Sequence, residues 1–160
     1  DERATFDQRF GEAFETRVLF LRAAKLTNKL NPRSFEQAQG ELVELGAEIK
    51  SREDFERLAR TRSEDAGTRD KGGLIGYVAP GDENVPEGLR AAIFGGRAEP
   101  GPRCVGPVLL STGMALLWIG ERWPAPGWDQ MSVHVHDELR RRFVDECLQR
   151  KDVITYLDEE

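Results

Sequence analysis

The strongest constraint in this chain is the stretch Asp54–Gly81, DFERLARTRSEDAGTRDKGGLIGYVAPG. Phe55, Leu58 and Ala59 recur at helical spacing and predict one apolar face of an amphipathic helix. Ser63, Glu64, Asp65 and Gly67 then stop that helix. Gly72 and Gly73 offer a backbone free to take positive φ before Leu74, Ile75, Gly76 and Tyr77 turn extended. A helix, a polar turn, a double glycine and a short apolar strand must therefore follow one another within 28 residues.

Composition narrows the class. A chain of 160 residues is one domain, or one domain with extensions, and 39% hydrophobic residues suffice for a core. A formal charge of −6 argues against a nucleic-acid backbone as the main partner. No apolar run reaches the length of a membrane span. The chain opens on Asp1 rather than methionine, which reads as a processed or trimmed piece. Cys104 and Cys147 lack metal-like spacing and read as two ordinary buried thiols, or as a pair if the fold brings them within disulfide range.

Taken in order, Phe6, Phe10 and Phe14 stand four apart and predict a short helix over residues 1–14 that docks on something else. Thr16–Ala24, TRVLFLRAA, reads as a strand. Ser34 and Gln37 make a capping box for a helix Phe35–Ile49 that carries Phe35, Ala38, Leu42, Leu45 and Ile49 along one side. A further helix is expected over Val85–Phe94, with Pro86 in its first turn and Gly95-Gly96 ending it. Leu109-Leu110 and Met114–Ile119 read as two strands joined across Ser111-Thr112-Gly113. Trp123–Trp128 is a rigid linker, and Asp137–Lys151 an amphipathic helix with Leu139, Phe143 and Cys147 on one face beside Val144 and Leu148. Val153–Leu157 either continues it or adds a strand. The predicted class is α+β, with a four-stranded sheet.

The central stretch resembles the parvulin-type peptidyl-prolyl cis-trans isomerases, whose pattern here is roughly DFxxLAxxxSEDxGSxxKGGDLGxxxxG. Asp54, Phe55, Leu58, Ala59, Ser63, Glu64, Asp65, Gly67, Lys71, Gly72, Gly73, Gly76 and Gly81 match it. Thr68 stands for the family's serine and Ile75 for its leucine. The resemblance implies a parvulin-like four-stranded antiparallel sheet in β-α-α-α-β-α-β-β order. It divides the chain into an N-terminal helical extension 1–15, an isomerase-like domain 16–122, and a linker with a C-terminal helical extension 123–160. In exported foldases of similar layout, flanking helices from both ends form a chaperone module. A bacterial envelope location is implied by that resemblance alone.

Prolyl isomerisation crosses an amide barrier of about 18–20 kcal/mol without breaking a bond, so no cofactor is expected. The catalyst needs an apolar cup for the proline ring and polar groups that favour the twisted amide. Parvulins supply two histidines on neighbouring strands, a Cys or Asp, and an apolar trio. Carried over one residue at a time, the first histidine's place falls on Val18 and the second's on Ala115. Asp65 keeps the acidic position, where its alternative role is a turn residue. Ile75 keeps one apolar wall. The other walls are Val85 and Leu89 if the helix is anchored on Phe94, or Asn84 and Gly88 if it is anchored on Pro86; the first pair suits an apolar cup.

Burying a proline ring of roughly 100 Å² contributes about 2–3 kcal/mol, which makes for weak binding. A thousandfold acceleration needs about 4 kcal/mol of preference for the twisted state. The expected function is thus a module that binds proline-containing segments of unfolded or partner proteins, with catalysis weak or lost. Its alternatives are an active isomerase using Asp65 and an assembly domain that self-associates through its terminal helices. His134 and His136 form a pair without a third ligand, so no metal is expected. Trp118, Trp123 and Trp128 would cover the sheet's end or offer an apolar patch. Arg140-Arg141-Arg142 reads as a solvated face.

Overall fold

A computed structural model describes residues 11–25, 33–95, 101–124, 136, 137, 139–145 and 148. The elements are β1 (Ala13–Arg22), α1 (Phe35–Glu48), α2 (Arg52–Arg62), β2 (Leu74–Val78), α3 (Glu87–Phe94), β3 (Arg103–Leu110) and β4 (Gly113–Trp123). A single 3-10 turn, Arg69–Lys71, stands where the resemblance implied a third helix before β2. The four strands form one antiparallel sheet in the order β2-β1-β4-β3.

Strand alternation divides the sheet into two apolar faces. Leu19, Leu21, Met114, Leu116 and Trp118 meet Ala38, Leu42 and Leu45 of α1 and Phe55, Leu58 and Ala59 of α2. Val18, Ala115, Leu117 and Ile119 meet Leu89 and Ile93 of α3, together with Val78 and Val85. Fully burying a side chain such as Phe55 or Leu42 contributes about 1.5–3 kcal/mol, and both are wholly inaccessible.

The helices begin where their caps require. The Ser34 hydroxyl accepts the Gln37 N–H at 3.2 Å while the Gln37 amide oxygen accepts the Ser34 N–H at 2.9 Å. Ser51 caps α2 by accepting the Asp54 N–H at 3.2 Å. At the other end of the domain, Gly113 pairs with Leu110, so the β3–β4 turn is only Ser111-Thr112.

Three expectations are corrected. The helix expected through Phe14 does not include it: Phe14 lies in β1 opposite Val78 and packs on Phe94 at 5.8 Å between ring centroids. Its period-two partners Thr16, Val18 and Phe20 outweigh the four-residue spacing to Phe10, which lies outside the described residues with Phe6. The sheet accordingly opens at Ala13, ahead of residue 16. The helix expected from Val85 starts at Glu87, with Pro86 as its N-cap; a residue before proline is pushed out of the helical region. The strand expected at Leu109-Leu110 starts at Arg103, and its register breaks between Val105 and Val108, where Pro107 has no N–H to give to a ladder.

Toward the C-terminus, residues 139–145 are helical. Leu139 is half-buried, whereas Phe143, Val144 and Leu148 are exposed. Phe6, Phe10, Trp128, His134, Cys147 and the stretch 153–157 lie outside the described residues. No described helix is long and apolar enough to cross a membrane.

Candidate functional site

The polar turn between α2 and β2 completes one edge of the sheet. β2 pairs with β1 only as far as Arg17. Beyond it the Val18 N–H donates to the Gly73 carbonyl at 2.8 Å, and the Phe20 N–H donates to the Ser63 hydroxyl at 3.1 Å. The Phe20 carbonyl accepts the Glu64 N–H at 2.8 Å, and the Arg22 N–H donates to the Glu64 carboxylate at 2.6 Å. Residues of the turn thus replace a neighbouring strand, leaving the backbone groups of buried β1 satisfied. Gly73 is required by close approach: a Cβ there would lie 2.4 Å from the Val18 carbonyl oxygen, at φ +80°.

A buried ion network anchors the same junction. The Arg17 guanidinium meets Glu15 at 3.0 Å and Glu56 at 2.9 Å, and donates to the Lys71 carbonyl at 3.2 Å. Arg52 bridges the same two glutamates from α2. The hydrogen bond from Arg52, with the charges of Arg17, Arg52 and Arg60, holds the Glu56 carboxyl below its ordinary range against the opposing effect of burial.

These contacts bring Asp65 to the rim of a cavity of about 310 Å³. Val18, Ile75, Val85 and Leu89 line it with Asp65, so five of the six expected site residues share one hollow. Ala115 does not line it. It is wholly inaccessible and stands opposite Phe20 in the strand register, within the core beneath. Val85 reaches the cavity from just ahead of α3, rather than from one helical face with Leu89. The other anchoring is half present: Asn84 lines the cavity, whereas Gly88 approaches the Leu109 carbonyl and the Leu110 side chain.

Sequence reading passed over Phe20, Pro86 and Leu110 as cavity walls. Phe20 had a visible signal, since it lies two residues beyond Val18 on the same face. Leu110 had none before the hairpin register was known. Asp65 is also a turn residue: its carboxylate accepts the Gly67 N–H at 3.3 Å and the Thr68 hydroxyl. The same side chain thus lines the cavity and closes the turn.

The other singled-out residues lie elsewhere. Trp118 packs in the core on Phe55, with ring centroids 6.3 Å apart. Trp123 is exposed and meets Tyr77 edge-on at 5.2 Å. Cys104 is a free, half-buried thiol on β3, and burial pushes its pKa up. Among the described residues no three His, Cys, Asp or Glu side chains come together as metal ligands.

The rotamase family model, described as the PPIC-type PPIase domain, matches residues 24–119. This chain belongs to the parvulin-type isomerase family. The match includes Asp65, Ile75, Val85, Leu89 and Ala115 but begins after β1, so Val18 lies outside it. The parvulin domain is 44% identical over 59 residues to the chaperone SurA of Burkholderia pseudomallei, covering 37% of this chain and 13% of that protein. It is 25% identical over 118 residues to the foldase protein PrsA of Clostridium botulinum, covering 72% of this chain and 34% of that protein. The chain therefore spans about a third or less of these relatives. Among solved structures, the peptidylprolyl isomerase PrsA of Bacillus cereus superposes with a TM-score of 0.65 at 16% identity, covering 98% of this chain and 56% of that one. That likeness shows the parvulin fold.

Proposed function

We propose that this parvulin domain binds extended, proline-containing segments of unfolded or partner polypeptides in the cavity between β1, β2 and α3, and that it isomerises them slowly or not at all. The observation that carries the reading is the chemistry of the walls. Val18, Ile75, Val85, Leu89 and Leu110 present apolar walls to a cavity with room for a proline ring. Position 18 offers valine where the family resemblance calls for histidine, and position 115 offers a buried alanine. The carboxylate at the rim is already engaged by Gly67 and Thr68. Burial of the ring supplies binding, while little remains to stabilise the twisted amide preferentially.

A protease-coupled assay on a proline peptide tests the catalytic half, with a rate near the uncatalysed one as the expected result. Turnover like that of an active parvulin would establish the alternative, an isomerase working through Asp65. That reading is supported by the position of Asp65 on the cavity rim. An unchanged rate in Asp65→Ala would count against it.

Self-association through the C-terminal helix is a separate reading, supported by the exposure of Phe143, Val144 and Leu148. A strictly monomeric mass at high concentration removes it. The resemblance to exported foldases supports a cell-envelope location, which fractionation of the source cells would test.

A further inference from the structure

Pro86 and Leu89 line the cavity from either side of Gly88 in the sequence, and Leu110 lines it from the end of β3. Gly88 itself meets β3: a Cβ at this position would stand 3.2 Å from the Leu109 carbonyl oxygen and 3.3 Å from Cδ2 of Leu110. We propose that Gly88 is a positioning residue that acts through Leu110. Carrying no side chain, it lets Leu110 settle against α3, and so sets the width of the cavity and the size of the proline-like ring it admits. The inference rests on the proline-binding reading above and names what decides ring size there.

A helix is an unfavourable place for glycine, which loses more backbone freedom there than alanine does. Its presence at position 88 therefore calls for a reason, and packing supplies one. Among the described strands β3 pairs with β4 alone, and α3 lies against its end. Leu110 packs there on the cluster that holds Leu89 and Ile93. The Leu109 side chain is 65% exposed, while its carbonyl lies toward Gly88. Non-bonded carbon atoms rest at about 3.5–4.0 Å, so any Cβ at 88 must push the end of β3 away.

What yields to that push is decided by burial. Val85 and Leu89 are each 4% exposed and held in the core, whereas Leu110 is half-buried. Leu110 also borders empty volume, because it lines the cavity as well as meeting Gly88. An overpacked side chain relaxes into adjoining space at least cost. A methyl group at position 88 thus moves Leu110 into the cavity and narrows it.

Chemical-shift titrations of the whole chain with two alanine-based peptides test this. One peptide carries a central proline, and the other carries pipecolate, its homologue with one more ring methylene. Gly88→Ala is expected to weaken the pipecolate peptide about fourfold more than the proline peptide, the equivalent of one buried methylene. Leu110→Val alone should move the ratio of affinities the other way, toward the larger ring. Adding Gly88→Ala to Leu110→Val should then leave the ratio unchanged, because the branch that a methyl at 88 would push is gone. Those last two variants carry the test if Gly88→Ala alone does not fold. An unchanged ratio in Gly88→Ala, no response to Leu110→Val, or an equal effect of Gly88→Ala in both backgrounds would overturn the role of Gly88 while leaving the cup intact. An absence of shifts at Val18, Ile75 and Leu89 with either peptide would overturn the cup and the role of Gly88 together.

Discussion

The Ser63 hydroxyl accepts the N–H of Phe20 at 3.1 Å, so a side chain from the turn after α2 takes the place of a strand carbonyl beside β1. Ser63 is 3% exposed, and it accepts the Asp65 N–H as well, at 3.3 Å. One hydroxyl thereby ties the cavity wall at Phe20 to the rim carboxylate at Asp65.

Ser63→Ala leaves the Phe20 N–H without its partner in a part-buried setting. A destabilisation of about 1–3 kcal/mol is expected from such an orphaned group. Urea unfolding measures it, and amide exchange at Phe20 should accelerate more than at Leu19. A loss below a few tenths of a kcal/mol would mean that water or a shifted turn replaces the hydroxyl.

Gly73 lies where the double-glycine turn passes over Val18. Gly73→Ala would bring a Cβ to 2.4 Å from the Val18 carbonyl oxygen and 3.1 Å from the Ala59 Cβ. The expected cost is about 1–3 kcal/mol or more, because the collision is with backbone and the φ is positive. Gly76→Ala serves as the control: its φ is also positive, but open space surrounds its Cβ position. It should cost less, and the reverse order would refute the close-approach argument.

The Glu56 carboxyl titrates below its ordinary range, chiefly through the hydrogen bond from Arg52. A carboxyl whose folded pKa is depressed contributes stability at pH values above its unfolded pKa, and loses that contribution as the pH falls through the folded value. The stability difference between the wild type and Glu56→Gln should therefore be largest near neutrality and shrink as the pH falls through and below the ordinary carboxylate range. Denaturant unfolding across that range checks it, and a difference that does not change with pH would contradict it.

Introducing histidine at the two positions where the resemblance expects one distinguishes them. Ala115 is wholly inaccessible, so Ala115→His must overpack the core beneath Phe20, at an expected cost of about 1–3 kcal/mol. Val18 borders the cavity, so Val18→His has space on one side and should cost less. Thermal unfolding of both variants gives the comparison; equal costs would mean that the cavity offers position 18 no relief.

Much of this was legible in the sequence, for reasons that can be named. The helical period of Phe35, Ala38, Leu42 and Leu45 and the Ser34–Gln37 capping box are local signals, and α1 follows them. The SED-turn and the double glycine led to the parvulin fold because their spacing is specific. Less visible was what tertiary pairing decides. Phe14 belonged equally to a four-residue and a two-residue period, and only its pairing with Val78 chose the strand. Val85 and Leu89 converge on the cavity although Val85 precedes the helix, since the Pro86 cap directs the chain there. Phe20 and Leu110 became walls only through the sheet register. Ala115 was placed in the core rather than in the cavity wall by its burial opposite Phe20 in the β1–β4 register.

The most direct test of the account is a single titration of the chain with a proline peptide, followed by amide chemical shifts, with the isomerisation rate of the same peptide read by exchange spectroscopy. Shifts centred on Val18, Ile75 and Leu89, saturating at about millimolar concentration, with cis-trans exchange near the uncatalysed rate, are the predicted result. Exchange accelerated to the level of an active parvulin, or shifts that leave those three residues untouched, would contradict it.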